Sequence, residues 1–266
     1  MRASLMQIAV NPEESVDSRR QRVASLVREQ SDVDLVILPE LWPVGAFSYQ
    51  AFAEEAEPLD GPTHEAMAKA ASDTGVWLHA GSIVERAADG VLYNTSLVYS
   101  PAGERVTAYR KIHRFGFDQG EATLMGAGTT PRTVALPELT LGLATCYDLR
   151  FPELFRQLTD AGAQGFVVPA GWPARRRGHW TLLARARAVE NQAYVLACST
   201  TGTHAGVEQA GHSLVVDPWG EVLAEAGTAE EVLTVELDAA KVTATREQFP
   251  ALKDRVLGVE PPRSAS

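Results

Sequence analysis

Cysteine is scarce in this chain. Its 266 residues contain only Cys146 and Cys198, too few for the disulfide framework of a small secreted domain. Two free thiols suit a reducing compartment, so we expect a cytoplasmic protein. No apolar run approaches the length of a membrane span, and the short apolar stretch after Met1 ends too soon for a signal peptide. The sequence therefore predicts a protein without a membrane partner.

Positive charge is also in short supply. Lys and Arg number 24 against 34 Asp and Glu, which gives a formal net charge of −10. Nucleic-acid binding needs a broad basic surface, so we expect no nucleic-acid partner. The one dense basic run is Arg175, Arg176 and Arg177, which is large enough to hold one small anion. Such runs usually face water or a neighbouring subunit, and both interpretations stay open at this point.

Strand-like and helix-like segments alternate along the chain. Continuous apolar runs such as DLVILPE (34–40) are typical of strands buried on both faces. Together with the alternation they predict an α/β fold with mostly parallel strands, although a strand-rich middle points to mixed sheets. No repeat or linker interrupts residues 1–266, so we predict a single domain, with about 256–266 as a loose tail.

The individual elements are predicted from periodicity, caps and turn residues. The predicted helices cover 12–30, 62–74 with Gly75 as the cap, 151–162 and 178–192. The predicted strands cover 4–10, 34–40, 76–85, 92–100, 105–112, 141–146, 165–170, 194–200, 213–217, 221–225 and 231–237. We expect 213–217 and 221–225 to form a hairpin, with Asp217 to Gly220 as its turn.

Three predicted strands end at a residue capable of chemistry: Glu40, Lys111 and Cys146. Ligand sites of α/β sheets lie beyond the carboxyl ends of strands, so these side chains are candidates for one site. A helix N-terminus after Cys146 would favour its thiolate, and the backbone N–H of Tyr147 would face an oxyanion. In isolation, a buried structural cysteine and a solvated glutamate and lysine are the commoner outcomes. Cys198, within the strand YVLACST, is predicted to be structural.

Histidine offers a rival interpretation. Cysteine hydrolases usually employ a histidine base, and His113 or His179 could serve as one. The histidines show no metal-ligand spacing, so we predict no metal site. Asp148, Arg150 and Glu153, which follow the candidate thiol, are interpreted as a supporting ion-pair network.

Longer segments around the three candidate residues resemble the signatures of the nitrilase superfamily of carbon–nitrogen hydrolases. They are LPELWPVG around Glu40, YRKIHRFGFDQGE around Lys111 and ATCYDLRFPELFR around Cys146. PAGWP, HWTLLARARAVENQAYV and GHSLVVDPWGEVLAEAG are similar to the family as well, and in its order. The resemblance covers residues 4 to 255, and the branch that it most resembles holds the omega-amidases and related Nit-type amidases.

The resemblance implies roles for four residues. Cys146 would be the nucleophile, Glu40 the general base and Lys111 the charge that stabilises the tetrahedral intermediate. Glu121 would be a second glutamate that orients the lysine or the substrate. The implied fold is a four-layer α-β-β-α sandwich with mixed sheets, assembled as a homodimer or a larger even-numbered homo-oligomer.

The implied reaction is hydrolysis of a small, non-peptide amide to a carboxylic acid and ammonia through a cysteine thioester, without a cofactor. Tyr147 and Trp172 are expected to contact the substrate, and Arg175 would hold the carboxylate of a dicarboxylic acid monoamide. A nitrilase or an N-carbamoyl amidohydrolase on the same fold remains an alternative, as does a non-catalytic interaction protein.

Overall fold

Two six-stranded sheets, packed face to face, form the centre of the structure, a computed structural model that describes residues 1–258. The strands in this part of the chain are β1 (Arg2–Gln7), β2 (Leu35–Ile37), β3 (Trp77–Arg86), β4 (Leu92–Tyr99), β5 (Arg105–Arg110), β6 (Arg132–Ala135), β7 (Thr140–Leu143), β8 (Gly165–Ala170), β9 (Tyr194–Ser199), β10 (Thr203–His204), β11 (Val207–Glu208), β12 (Leu214–Val216), β13 (Val222–Glu225) and β14 (Glu231–Glu236). The helices are α1 (Val16–Arg28), α2 (Pro62–Thr74), α3 (Glu121–Leu124), α4 (Pro152–Asp160), α5 (Arg177–Asn191) and α6 (Ala239–Gln248).

Both sheets are mixed, as predicted. The first has the order β14-β1-β2-β3-β4-β5, with β1, β2 and β3 parallel and the outer strands antiparallel to their neighbours. The second has the order β13-β12-β9-β8-β7-β6, again with three parallel strands, β7, β8 and β9, at its centre. The parallel strands place their carboxyl ends at a common edge of each sheet.

Three apolar cores separate four layers. The core between the sheets contains Leu5 and Ile37 from one sheet and Leu196 from the other. A second core packs α1 and α2 against the first sheet, with Met67 among its members. A third packs α4 and α5 against the second sheet around Phe155. The result is the α-β-β-α sandwich.

The ends of the first two long helices follow from their caps. α2 begins at Pro62 and ends before Gly75, whose φ of 70° is the left-handed conformation that glycine adopts readily. The predicted start of α1 at Pro12 is wrong, because the helix begins at Val16. Ser15 has extended backbone angles, and its side-chain oxygen accepts a hydrogen bond from the N–H of Ser18, which makes it the N-cap.

Two segments, β6 and α6, are not predicted from the sequence. β6 lies at the edge of its sheet and buries only Val134. α6 buries only Val242 and Thr245. Neither segment carries the apolar periodicity on which such predictions depend, since most of its side chains face water.

Two predictions concern the C-terminal part. The predicted hairpin is confirmed: β12 pairs with β13, and the N–H of Gly220 donates to the carbonyl of Asp217 at 2.9 Å. The predicted loose tail, 256–266, lies outside the described residues from position 259 onward.

Within residues 1–258, no helix has the length and apolar character needed to cross a membrane.

Candidate active site

Glu40, Lys111 and Cys146 meet at one edge of the sandwich. β2 ends three residues before Glu40, β5 directly before Lys111, and β7 three residues before Cys146. The antiparallel steps from β3 to β4 and from β4 to β5 return β5 to the direction of β2, so its carboxyl end reaches the same edge. The three residues are 1%, 2% and 8% exposed.

A bulge in β3 makes room for the chain that carries Glu40. The pairing of β3 with β4 shifts between His79 and Ser82, and Gly81 there has a φ of +64°. A Cβ atom at Gly81 would lie 1.9 Å from the carbonyl oxygen of Pro39. The side-chain oxygen of Ser82 accepts a hydrogen bond from the N–H of Leu41, 2.9 Å away. The bulge therefore fixes the backbone on both sides of Glu40, at Pro39 and at Leu41.

Lys111 joins two glutamates. Its Nζ donates to Oε1 of Glu40 at 2.7 Å and to Oε2 of Glu121 at 2.6 Å. Burial alone would lower the pKa of Lys111, but the charges of Glu121 and Glu40 raise it well above its ordinary value. Burial raises the pKa of Glu121, and Lys111 offsets part of that effect. The lysine is therefore a buried cation held between two carboxyl groups.

Backbone and side-chain amides complete this cluster. The N–H of Gly171 donates to Oε2 of Glu40 at 2.8 Å, and the N–H of Phe115 donates to Oε2 of Glu121 at 2.9 Å. Asn94 on β4 donates to both glutamates. Neither Asn94 nor Gly171 is predicted from the sequence as a site residue; for Asn94 the available signal is a polar amide within a predicted strand.

Cys146 has an unusual backbone conformation. Its φ is +46°, in the left-handed region that non-glycine residues seldom occupy. It begins a five-residue 3-10 helix, Cys146–Arg150, rather than an α-helix. Asp148 stabilises this turn by accepting a hydrogen bond from the N–H of Thr145 at 2.9 Å.

The expectation that a helix N-terminus favours the Cys146 thiolate is wrong. α4 begins only at Pro152, and burial raises the pKa of the thiol well above its ordinary value. The negative charge of Glu40 raises it further, while Lys111 lowers it to a smaller extent. Burial and Glu40 thus both favour the neutral thiol of Cys146, which needs a base to become a nucleophile.

The two candidate histidines have other partners. The ring Nδ1 of His113 is 2.7 Å from a carboxylate oxygen of Asp148, and the ring stacks on Phe151 with centroids 3.7 Å apart. His179 is exposed and lies beside the guanidinium of Arg150. The charges that shift the pKa of Cys146 most are those of Glu40, Lys111 and Glu121, and no histidine is among them. The geometry therefore favours a carboxylate base over a histidine.

The predicted ion-pair network after Cys146 is not formed in the described part of the chain. Asp148 is fully buried and accepts hydrogen bonds from the Tyr109 hydroxyl at 2.7 Å and the N–H of His113 at 2.9 Å. Glu153 is exposed at the start of α4. The Arg150 guanidinium lies near the Tyr147 and Trp172 rings, at the cavity described next.

A small cavity of about 20 Å³ opens at Cys146. It is lined by aromatic side chains and two guanidinium groups, from Phe47, Phe115, Tyr147, Trp172, Arg150 and Arg176. The predicted substrate contacts Tyr147 and Trp172 are thus in place beside the thiol. Arg175 is exposed and lines a neighbouring cavity of about 280 Å³, which shares Phe47, Phe115 and Arg176 with the first.

The two cavity arginines have no carboxylate partner among residues 1–258. The guanidinium carbon of Arg150 lies 4.9 Å from the Trp172 ring, and that of Arg176 lies 5.2 Å from the Phe115 ring. Burial and the nearby charges of Arg175 and Arg150 lower the pKa of Arg176. An anion in this cavity would relieve that repulsion.

The α-β-β-α sandwich with a buried cysteine, glutamate and lysine at its strand ends is typical of hydrolases that cleave carbon–nitrogen bonds. The family model for carbon-nitrogen hydrolases matches residues 2–247. The chain therefore belongs to the carbon–nitrogen hydrolase family of the nitrilase superfamily, which confirms the resemblance of its three signature segments.

Individual relatives are of the amidase type. The chain is 40% identical over 257 residues to a 2-oxoglutaramate amidase of Paenarthrobacter nicotinovorans, covering 94% of this chain and 87% of that protein. It is 36% identical over 264 residues to the omega-amidase NIT2 of Mus musculus, with coverage of 96% and 94%. A solved structure of a carbon–nitrogen hydrolase superfamily protein from Xanthomonas campestris matches with a TM-score of 0.90 and 30% identity over 98% and 99% of the two chains. The predicted fold class and the amidase-type branch are thereby confirmed.

Proposed function

We propose that the enzyme hydrolyses the ω-amide of a small carboxylic acid to the acid and ammonia, with Cys146 as nucleophile and Glu40 as general base. The observation that carries this proposal is the burial of the Cys146 thiol beside a glutamate that is ion-paired to Lys111 at 2.7 Å. The similarity to a 2-oxoglutaramate amidase and an omega-amidase supports the choice of substrate class.

Acylation begins with transfer of the Cys146 proton to Glu40. The transfer leaves the number of buried negative charges unchanged, because the thiolate forms as the carboxylate is neutralised. The thiolate attacks the amide carbonyl, and the oxyanion of the tetrahedral intermediate is stabilised by Lys111 and the N–H of Tyr147. Glu40 then gives its proton to the nitrogen as the C–N bond breaks, which releases ammonia and leaves a thioester.

Deacylation uses the same groups in reverse. Glu40 takes a proton from a water molecule, the resulting hydroxide attacks the thioester, and Lys111 again stabilises the oxyanion. The C–S bond breaks, the carboxylic acid leaves, and Cys146 regains its proton from Glu40. Glu121 keeps Lys111 charged and fixed in place through the 2.6 Å contact.

The ω-amide class also fits the charge of the cavity. A dicarboxylic acid monoamide carries one carboxylate, which would supply the missing counter-ion of Arg150 and Arg176. The indole N–H of Trp172 donates to the carbonyl of Arg176 at 2.9 Å, and this bond holds the arginine-bearing turn against the cavity. Arg175, the arginine predicted for this role, lies one residue away on the same turn and faces the neighbouring cavity.

A substrate panel with the Cys146→Ala variant tests the proposal. We expect the wild-type enzyme to release ammonia from ω-amides faster than from nitriles or N-carbamoyl amino acids, and the variant to lose nearly all turnover. A preference for nitriles or carbamoyl compounds would instead identify a nitrilase or an N-carbamoyl amidohydrolase. A variant that hydrolyses amides at a rate comparable to the wild type would contradict the nucleophile assignment, and a wild type inactive on the whole panel would favour the non-catalytic alternative.

A further inference from the structure

We infer that Asn94 is a positioning residue for the base: it holds one oxygen of Glu40 and thereby leaves Oε2 as the atom that takes the thiol proton. The inference rests on the proposed function, since it assumes that Glu40 is the base for Cys146. It concerns a residue on β4 that lies outside the three signature segments.

The Asn94 side chain is 3% exposed and bridges the two glutamates. Its Nδ2 donates to Oε1 of Glu40 at 2.8 Å and to Oε1 of Glu121 at 2.5 Å. An amide nitrogen has two hydrogens, so both are used by these carboxylates. Lys111 bridges the same two glutamates, so the four side chains form a closed ring of contacts.

The orientation of the amide is fixed by this ring. A rotated amide would aim its oxygen at two carboxylate oxygens, and lone pairs would then repel one another. In the observed orientation the Asn94 Oδ1 is buried without a hydrogen-bond partner in the described residues, which costs free energy. The arrangement thus leaves Oδ1 without a hydrogen bond and directs both N–H groups at the two glutamates.

The contacts distinguish the two oxygens of Glu40. Oε1 accepts from Lys111 and from Asn94, so both of its lone pairs are occupied. Among residues 1–258, Oε2 accepts from the N–H of Gly171 alone, and Gly171 lines the same cavity as Cys146. Oε2 is therefore the oxygen that keeps a free lone pair, and its partner lies on the cavity that contains the thiol.

Replacing Asn94 changes the charge balance of this ring. Asn94→Asp keeps the shape but sets a third carboxylate against Glu40 and Glu121, and within the described residues Lys111 is the one cation that contacts them. Like charges oppose ionisation, so a higher pH is needed before Glu40 can act as a base. On the acid limb of the profile, where kcat/KM falls about tenfold per pH unit, the variant should therefore lose about 10-fold in kcat/KM.

The experiment is the pH profile of kcat/KM for Asn94→Asp and for a matched control, Thr95→Val. Thr95 is the next buried residue of β4, and its hydroxyl donates to Glu85, outside the site, at 2.6 Å. We expect the acid limb of the Asn94→Asp profile to move up by about one pH unit. The Thr95→Val profile should keep the wild-type midpoint even if the protein is less stable.

The outcomes separate this inference from the proposed function. A folded Asn94→Asp enzyme with the wild-type acid limb would overturn the role of Asn94 while leaving Cys146 and Glu40 untouched. A Cys146→Ala variant that remains active would overturn the proposed function itself. If Asn94→Asp does not fold, Asn94→Ser is measured in its place: loss of the Nδ2 contacts should lower kcat at least 10-fold more than Thr95→Val does, and equal losses would refute the inference.

Discussion

Arg176 and Arg175 are neighbours on one turn and both line the larger cavity, but only Arg176 also reaches the cavity at Cys146. Arg176 lines the cavity that contains Cys146, and Arg175 lines only the adjoining one. A charged hydrogen bond to a substrate carboxylate contributes about 1.5–3 kcal/mol, so Arg176→Ala should lower kcat/KM for a carboxylated ω-amide by about 10- to 100-fold. The same change should leave a small uncharged amide nearly unaffected.

Arg175→Ala is the matched control for this prediction, because it removes the same charge one residue away. Steady-state kinetics on the two amides would be compared for both variants. If Arg175→Ala loses the preference for the carboxylated amide over the uncharged one and Arg176→Ala keeps it, the carboxylate is bound by Arg175, as predicted from the sequence. Equal losses on charged and uncharged amides would remove the carboxylate contact altogether.

Site residues that lie within a recognisable local segment could be predicted from the sequence. Glu40, Lys111 and Cys146 each follow a predicted strand, and the structure brings them together with Glu121. Contacts that join distant parts of the chain could not be predicted. The N–H of Gly171 reaches Glu40 across 131 positions, and nothing around Gly171 in the sequence indicates that partner. The raised pKa of the Cys146 thiol could not be predicted either, because burial depends on the complete fold.

At the scale of elements, the bulge in β3 is the feature on which the site depends most. Gly81→Ala combines a left-handed backbone with a Cβ position 1.9 Å from the Pro39 carbonyl oxygen. Gly75→Ala is the control, since Gly75 has a φ of +70° but open space around its Cβ position. We expect Gly75→Ala to cost about 1–2 kcal/mol of unfolding free energy and Gly81→Ala about 1–3 kcal/mol more.

Denaturant unfolding and kcat measure both parts of this prediction. Gly81→Ala should also lower kcat, because the displaced Pro39 carbonyl moves Glu40, whereas Gly75→Ala should keep the wild-type kcat. Equal losses of unfolding free energy in the two variants would show that the backbone angle alone destabilises Gly81→Ala. The close approach to Pro39 would then contribute nothing to the loss.

The elements predicted best are those with strong end signals. α2 has Pro62 at its start and Gly75 at its end, and its observed bounds agree with the prediction. β8 is a continuous apolar run and was placed at Gly165–Ala170 without error. The strand before Cys146 was extended too far, because Ala144 and Thr145 continue the apolar pattern after the pairing of β7 ends at Leu143.

At the scale of the whole molecule, the sequence predicts α/β layers but not which sheet each strand joins. β14 returns from the far end of the chain to pair with β1, with Arg2 opposite Glu236. β12 and β13, only a few residues earlier, belong to the other sheet. No local pattern separates these choices, and the four-layer arrangement therefore came from the family resemblance rather than from periodicity.

Exposed apolar side chains on the second sheet's side offer a candidate contact for the expected homodimer or larger even-numbered oligomer. Leu182 and Val189 on α5 are 65% and 52% exposed, and Trp219 and Phe249 are 44% and 59% exposed. The Trp219 and Phe249 rings are 6.4 Å apart, and the Val189 side chain packs beside Gly220, so these three side chains lie close together, with Leu182 two turns earlier on α5. Exposed apolar patches of this kind usually mark protein–protein contacts.

We expect the wild-type protein to sediment as a dimer and a Leu182→Lys, Val189→Lys variant to sediment as a monomer, because two buried cations would oppose the contact. Val106→Lys is the control: Val106 is 42% exposed on β5, in the other sheet, so that variant should remain dimeric. Circular dichroism would establish that all three proteins are folded. A double variant that keeps the wild-type mass would place the interface elsewhere, and a monomeric wild type would refute the expected oligomer.

The location of the interface matters for the active site, since α5 follows directly from the turn that carries Arg175 and Arg176. A dimer formed through α5 would therefore restrain the cavity arginines, and the monomeric variant should bind a carboxylated ω-amide with a higher KM.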